Sequence, residues 1–235
     1  EVTGVQTFAS SDLLNLLFFL AAFQVFSQET KMPAPMIAVD SLYREDQFYA
    51  GFTYNILRDR PTGVTQNKFS SGFMLGFLRD FPINKARTSA IAPGIGLSFN
   101  KYFHSLIIYE VNSKPVYTSI PVGQDYSKDK LEQLFIDVPI EFRWRTSTPE
   151  THKFWRIYTG IKFSYLIYDK YVYKDNFGTT KLFNNPGLNN LQVGTYVAMG
   201  RNTLNFYVYY GWLPLFNSSA KINNEKVGMN TLNLG

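Results

Sequence analysis

The chain has 235 residues, a formal net charge of +5 and no cysteine, which excludes a disulfide scaffold, a thiol nucleophile and a cysteine-ligated metal site. Its 23 lysine and arginine residues are scattered without a run of like charge, so we expect no nucleic-acid partner. Aromatic residues reach 17% while the mean hydropathy is only −0.15, a combination typical of a transmembrane β-barrel, whose strands are apolar on one face.

The first 45 residues are predicted to precede the folded domain. Residues 13–26 form an apolar run too short to cross a membrane as a helix, and a plausible cleavage site follows near Ser27. Residues 1–27 are therefore predicted to be a signal-peptide-like segment that is cleaved after export, although no basic residue precedes the apolar run. The alternative is a buried amphipathic helix. Residues 28–45 contain two prolines and are predicted to be an unstructured periplasmic lead-in to a domain over residues 46–235.

Three strands are predicted next, each with large apolar residues alternating with small or polar ones. The alternation covers residues 48–56, 69–77 and 91–100. The third strand is expected to continue to about Tyr109, and a long polar loop is expected over residues 110–129.

Residues 134–168 predict the clearest hairpin, made of strands four and five around a turn near residues 146–152. Side chains of a strand alternate between two faces, so each of these strands has one apolar face and one face with charged or small residues. A short turn then favours cross-strand pairs within a shift of two residues. The expected pairs are Asp137 with Lys162, Glu141 with Tyr158 and Arg143 with Arg156.

The remaining sequence predicts three more strands. Residues 169–189 are expected to be a loop, residues 191–199 strand six and residues 204–212 strand seven. A polar loop is predicted over residues 217–229, and strand eight begins at Thr231. The chain ends within that strand, so we expect the last strand to be truncated and the first strand to be incompletely paired.

These elements predict an all-β fold: an eight-stranded antiparallel up-and-down transmembrane β-barrel. The polar face carries many glycines, which suit the narrow lumen of an eight-stranded barrel. Its apolar face carries aromatic residues near the strand ends, where interfacial aromatics are found. A soluble lipocalin-like carrier is the alternative, but the same alternation would overfill its interior with large aromatics.

Four sequence strings carry a resemblance to a known family. They are EDQFYAGFTYN, FLRDFPINKART, IDVPIEFRWRTSTPETHKFWRIYTG and MNTLNLG. With them, the chain resembles the PorT-like outer-membrane β-barrel proteins of the Bacteroidota over about residues 46–235. The resemblance implies an outer-membrane location and an accessory role in type IX protein secretion and gliding. A free-standing structural or adhesive barrel is the alternative.

Few residues point to catalysis. His104 and Ser105 lie near the loop end of strand three, where a lipid-modifying enzyme would place a nucleophile and a base, but adjacent strand residues point to opposite faces. We therefore expect surface residues there, and no catalytic residue. His152 is expected to be solvated in its turn, and two histidines make no metal site. Gly94 and Gly96 lie mid-strand, so no nucleotide loop, no cofactor and no small-molecule substrate are predicted.

Two groups of residues remain as site predictions. The lumenal charges are expected to form a salt-bridge network that fills the barrel, with an ion path as the alternative. They are Asp137, Glu141, Arg143, Arg156 and Lys162. In the loop 169–189, aromatic side chains are expected to contact a partner, for which secretion-machinery proteins are the leading candidates. They are Tyr171, Tyr173 and Phe177. Outer-membrane lipid is the other expected partner, and the filled lumen is expected not to conduct.

Overall fold

The computed structural model describes residues 46–66, 68–112, 114–121, 123–146, 155–201 and 204–235. The signal-peptide-like segment 1–27, the lead-in 28–45 and the turn with His152 lie outside these ranges. The described ranges contain fourteen strands and no helix long and apolar enough to cross a membrane. The strands are β1 (Gln47–Arg58), β2 (Ser71–Leu78), β3 (Phe81–Pro82), β4 (Ser89–Phe103), β5 (Leu106–Val111), β6 (Lys114–Ser119), β7 (Tyr126–Arg145), β8 (Trp155–Asp175), β9 (Thr179–Phe183), β10 (Leu191–Arg201), β11 (Leu204–Gly211), β12 (Lys221–Ile222), β13 (Glu225–Lys226) and β14 (Asn230–Leu234).

Eight of these strands are hydrogen-bonded in a closed antiparallel ring. Its order is β1, β2, β4, β7, β8, β10, β11 and β14, and β14 pairs back with β1. The eight predicted strands are therefore confirmed. On one side β1 pairs with β14 through residues 54–58, and on the other side it pairs with β2 through residues 47–54.

The long connections of the ring are more structured than expected. The strand β4 ends at Phe103 instead of continuing to Tyr109, and most of β5 occupies the predicted continuation. The predicted polar loop 110–129 contains β6, which pairs with β5, and the start of β7. The predicted loop 169–189 contains the end of β8 and its partner β9, and the loop 217–229 contains the β12–β13 hairpin. All of these additions lie at one end of the ring, called here the loop end. The opposite end, where β7 connects to β8 and β10 to β11, is the turn end.

The inside and outside of the ring follow the predicted alternation. The large apolar residues of each strand point outward and are exposed, from Phe48 in β1 to Tyr210 in β11. In β7, for example, Ile136, Val138 and Ile140 are exposed while Asp137 and Glu141 are buried. The ring therefore has the polarity of a barrel surrounded by lipid, opposite to that of a soluble carrier.

The pairing of β7 with β8 differs from the expected register by two residues, which lies within the stated shift. Asp137 faces Ser164, Glu141 faces Gly160 and Arg143 faces Tyr158. A bulge interrupts the pairing beyond this point, because Leu134 faces Tyr168 whereas Phe135 faces Leu166. The extra residue turns every later side chain of β8 to the opposite face.

The loop end holds a hydrophobic core of its own, which we call the apical core. Apolar side chains of the strand ends pack there against those of the inserted hairpins and loops. Its members include Tyr102, Leu106, Ile108, Tyr117, Leu131, Phe135, Tyr171, Leu188, Leu215, Phe216, Ile222 and Met229. The interior of the ring therefore changes from charged at the turn end to apolar at the loop end.

Candidate functional site

The five predicted lumenal charges all point into the ring. Asp137, Glu141 and Arg143 extend from β7, while Arg156 and Lys162 extend from β8, and each is buried. They share one face because the alternation of both strands is unbroken up to the bulge. The structure therefore brings together the residues that the sequence assigned to one constellation.

Asp80 is the centre of this network. Its carboxylate receives a bidentate pair of hydrogen bonds from Arg145, with Nη1 at 2.9 Å and Nη2 at 2.8 Å. Arg143 donates to the same carboxylate from Nη1 at 3.2 Å. All three side chains are fully buried, and fork-shaped arginine pairs of this kind are the strongest ion pairs in proteins.

Arg143 connects the Asp80 centre to the middle of the lumen. Its Nε donates to Glu141 Oε2 at 2.8 Å, and its guanidinium lies 4.9 Å from the centre of the Tyr158 ring. The hydroxyl of Tyr196 donates to the other oxygen of Glu141, Oε1, at 2.8 Å. The chain of contacts therefore crosses the lumen from β7 to β10.

The other three predicted charges make separate contacts. Lys162 Nζ lies 3.4 Å from Asp137 Oδ2 and 4.6 Å from the centre of the Tyr209 ring. Arg156 donates from Nε to Asn205 Oδ1 at 2.8 Å. The buried carboxylates Asp80, Glu141 and Asp137 each face a basic side chain, and Arg156 is hydrogen-bonded to an amide, so these buried charges have polar partners.

Sequence reasoning missed Asp80 and Arg145. Strand two was predicted to end at residue 77, but β3 continues β2 in the same register, with Phe81 facing Ile91 and Leu78 facing Gly94. Extending the alternation from Gly76 through Leu78 would have placed Asp80 inward. Arg145 follows Arg143 at the same spacing and could have been found in the same way.

Tyrosines fill the space beside the lumenal glycines. A Cβ added to Gly96 would meet the hydroxyl of Tyr49, and one added to Gly160 would lie 2.9 Å from Tyr196. A cavity of about 280 Å³ remains near the turn end, and a second of about 20 Å³ lies beyond it. Lys162 lines both cavities, so its side chain lies where the two would join.

A second buried cluster occupies the loop end, and it corrects the expectation that His104 and Ser105 are surface residues. His104 Nδ1 lies 3.3 Å from Asp129 Oδ1, and both side chains are buried. Tyr171 stacks in parallel with the imidazole at a centroid distance of 6.0 Å. Ser105 Oγ accepts the Thr65 N–H at 2.7 Å, which ties this segment to the loop after β1.

The His104–Asp129 pair lies beyond the last lipid-facing row of the ring and fits a neutral state. Leu106 N–H donates to Nδ1 at 3.3 Å, so a bond between Nδ1 and Asp129 requires the proton of the carboxyl group. Burial lowers the pKa of the His104 imidazole to about 4 and raises the pKa of the Asp129 carboxyl to about 8. At neutral pH both effects favour a protonated Asp129 beside an uncharged His104.

The predicted partner-contact aromatics are not all available at the surface. Tyr171 and Tyr173 are buried because the bulge in β8 turns them inward, and Tyr171 donates its hydroxyl proton to Leu106 O at 3.0 Å. Their expected role in surface contact is therefore wrong. Phe177 is 95% exposed in the turn between β8 and β9, where Asp175 Oδ1 accepts the Phe177 N–H at 2.9 Å. A partner for Phe177 stays a prediction.

The glycines that were considered for a nucleotide loop have a structural position within a strand. Gly94 and Gly96 are inside β4, where they pair with Leu78 and Gly76 of β2. Among the described residues, no three acidic, histidine or cysteine side chains are grouped in a way that could hold a metal ion.

Comparison with known proteins identifies the family. A family model described as "Outer membrane protein beta-barrel domain" matches residues 26–219. The chain belongs to this family, and the family implies an outer-membrane location. No curated protein and no solved structure matches the chain. Short turns of such barrels face the periplasm and longer loops face outward, so the loop end is the extracellular end.

Proposed function

We propose that this protein is a non-conducting, non-enzymatic outer-membrane barrel that acts through its outer wall and its extracellular surface. The observation that carries the proposal is that buried ion pairs, tyrosines and the apical core obstruct the lumen, apart from the cavity near the turn end. The Asp80 centre joins Arg143 and Arg145 near the periplasmic end, and the Glu141–Tyr196 bond crosses the middle.

The arrangement of the lumenal charges favours a lumen that blocks ions over one that conducts them. An ion-selective pore uses a ring of one sign of charge, whereas here acidic and basic side chains lie within 2.8–3.4 Å of each other. Beyond this network, the apical core closes the extracellular end with apolar side chains. An ion would have to displace both layers to cross.

An accessory role in a secretion machine is the more specific form of this proposal. The sequence resemblance to PorT-like barrels supports it, with type IX secretion as the implied process. A free-standing structural or adhesive barrel is the second candidate, and the exposed Phe177 in its hydrogen-bonded turn suits either role.

Single-channel recording in a planar bilayer tests the plug. The folded protein is expected to give no stable conductance steps. A larger barrel with an open pore, recorded in the same bilayer, is the positive control. Stable steps from the unmodified protein would overturn the proposal.

Affinity purification from native outer membranes separates the two roles. A secretion accessory should co-purify with a large complex at fixed stoichiometry, and Phe177→Ala should weaken that complex. Phe183→Ala is the matched control, because Phe183 is also exposed but lies on the flank of β9. Recovery of the barrel alone under mild detergent would favour the free-standing role.

A further inference from the structure

One side of the barrel carries a concentration of lysines just above the lipid-facing surface. They occupy outward positions of β4, β7, β8 and β9, and we call them the lysine face. Its members are Lys101, Lys128, Lys130, Lys170, Lys174 and Lys181. Glu132 is the acidic residue among the outward positions of these four strands.

The strand register fixes how far these lysines lie from the lipid. The last apolar row across the three ring strands is Phe99, Leu134 and Tyr168. The next row consists of Lys101, Glu132, Lys170 and Phe183, and the row after it of Phe103, Lys130, Val172 and Lys181. Rows are two residues apart, which is about 7 Å along a strand and roughly 5 Å along the membrane normal for a tilted strand.

This spacing places the first lysine row at the depth of the lipid headgroups and the second row, roughly 10 Å beyond the last apolar row, just outside them. The headgroup region extends roughly 5 to 8 Å beyond the hydrocarbon on each side of a bilayer. Lys101 and Lys170 therefore lie at the level of the outer-leaflet phosphate groups, and the long side chains of Lys130 and Lys181 can reach the same phosphates from the row above. The lipid-facing row below continues into the same surface.

The contacts within the face leave a surplus of positive charge. Glu132 is shared by Lys130 at 2.6 Å and Lys101 at 3.8 Å, so one carboxylate serves two ammonium groups. Lys170 lies 5.6 Å from the centre of the Phe183 ring. On the opposite side of the ring, the last outward residue of β1 and the first of β14 are Arg58 and Asn230. The positive charge is therefore concentrated on one side.

We propose that the lysine face binds the phosphate groups of a phosphorylated lipid of the outer leaflet, with the acyl chains against the apolar row below. The proposal rests on the outer-membrane location. Lysine is a point-charge ligand for phosphate, and each lysine near an anionic lipid surface strengthens binding severalfold. The apolar row is the feature that distinguishes a lipid from free phosphate.

Titration of the detergent-folded full chain with diphosphorylated lipid A tests this proposal. The unmodified protein is expected to bind lipid A at least tenfold more tightly than the dephosphorylated lipid, and inorganic phosphate at millimolar concentration should not displace it. Changing Lys101, Lys130, Lys170 and Lys181 together to glutamine should weaken lipid A binding at least tenfold. The control changes Lys85, Lys114, Lys221 and Lys226, four exposed lysines elsewhere, and should have no effect.

Glu132→Gln gives a second test in the opposite direction. Without this carboxylate Lys101 and Lys130 are released, so lipid A binding should become several times tighter. Equal binding by the lysine variant and its control would overturn the proposal, as would displacement by inorganic phosphate. If the lysine variant does not fold, as judged by the gel shift of a folded barrel, Glu132→Gln is the deciding variant. An unchanged lipid A affinity of Glu132→Gln would then overturn the proposal. None of these results depends on conductance or on a secretion partner.

Discussion

The periplasmic and extracellular halves of this barrel are built in opposite ways. In the membrane half, ion pairs and tyrosines lie inside and apolar side chains lie outside. In the extracellular half, the apical core lies inside and lysines lie outside. The change occurs within single strands: in β7 the inward Leu131 and Phe135, with Gln133 between them, join the apical core, whereas Asp137 and Glu141 nearer the turn end join the charged network.

The medium around each half, lipid or water, determines which side chains its interior holds. In lipid, outward apolar side chains cost nothing, so the lumen can hold polar side chains provided that they pair. In water, apolar side chains must be buried, and the inserted hairpins supply partners for them. One strand can therefore contribute to a membrane protein at one end and to a soluble-type core at the other.

The largest expected effect comes from breaking the Asp80 centre. Asp80→Ala leaves two buried guanidinium groups without their shared carboxylate, and loss of one partner of a buried pair costs about 3–5 kcal/mol. The measurement is urea unfolding of the barrel in lipid vesicles. Asp125→Ala, at an exposed position, is the control and should change stability by less than about 0.5 kcal/mol.

Unchanged stability of Asp80→Ala would mean that the buried ion pairs do not stabilise the membrane half, and it would contradict the role given to them here.

The second effect should appear in the extracellular half alone. Leu106 is fully buried in the apical core, and Leu106→Ala should cost about 2–4 kcal/mol because it removes buried volume. Hydrogen exchange should speed up in β5 and β6 and stay unchanged in the lipid-facing part of β7. Leu97→Ala, an exposed lipid-facing control in β4, should leave both regions unchanged. Equal acceleration in both halves would argue that they unfold as one unit.

The smallest effect concerns pH. The carboxyl of Asp129 has a folded pKa of about 8 against a usual value of 3.8, and the imidazole of His104 has about 4 against 6.5. Between pH 4 and 6.5 the two residues together hold one proton both in the folded state and when the extracellular half is unfolded, so the stability of this half does not change with pH. Between pH 6.5 and 8 the two residues have lost this proton in the unfolded state but keep it, on Asp129, in the folded state. The extracellular half should therefore lose about 2 kcal/mol over this interval.

Asp129→Asn sharpens the pH test because it should reverse the direction. With only His104 left to titrate, stability should be constant above pH 6.5 and should fall as the pH drops towards 4. Hydrogen exchange of the β5 amides against pH measures both proteins. The neighbouring groups Tyr171 and Lys68 are unchanged in the variant. The same pH profile for both proteins would contradict the assignment of the proton to Asp129.

The ring could be predicted from the sequence because alternation is a local signal. Asp137, Glu141 and Arg143 are inward in β7 because every second residue from Leu134 to Trp144 is apolar. Asp80 was missed because strand two was predicted to end at residue 77, although β3 continues its alternation.

The extracellular half could not be predicted in the same way. The bulge at Ile167 and Tyr168, which are both exposed, reverses the faces of β8, so continued alternation places Tyr171 and Tyr173 on the wrong side. The contact of His104 with Asp129 joins β7 to the segment after β4, 25 residues away in the chain, and nothing local in the sequence encodes it.

Cysteine scanning along β7 tests the inversion of the two halves most directly, because the chain contains no cysteine of its own. In intact cells, a membrane-impermeant maleimide should label cysteines at Lys128 and Lys130 and should not label those at Val138 and Ile140. In vesicles with brominated lipids, a fluorophore at Val138 or Ile140 should be quenched and one at Lys128 should not. Labelling of Val138 or Ile140 by the impermeant reagent, or quenching at Lys128, would contradict the account.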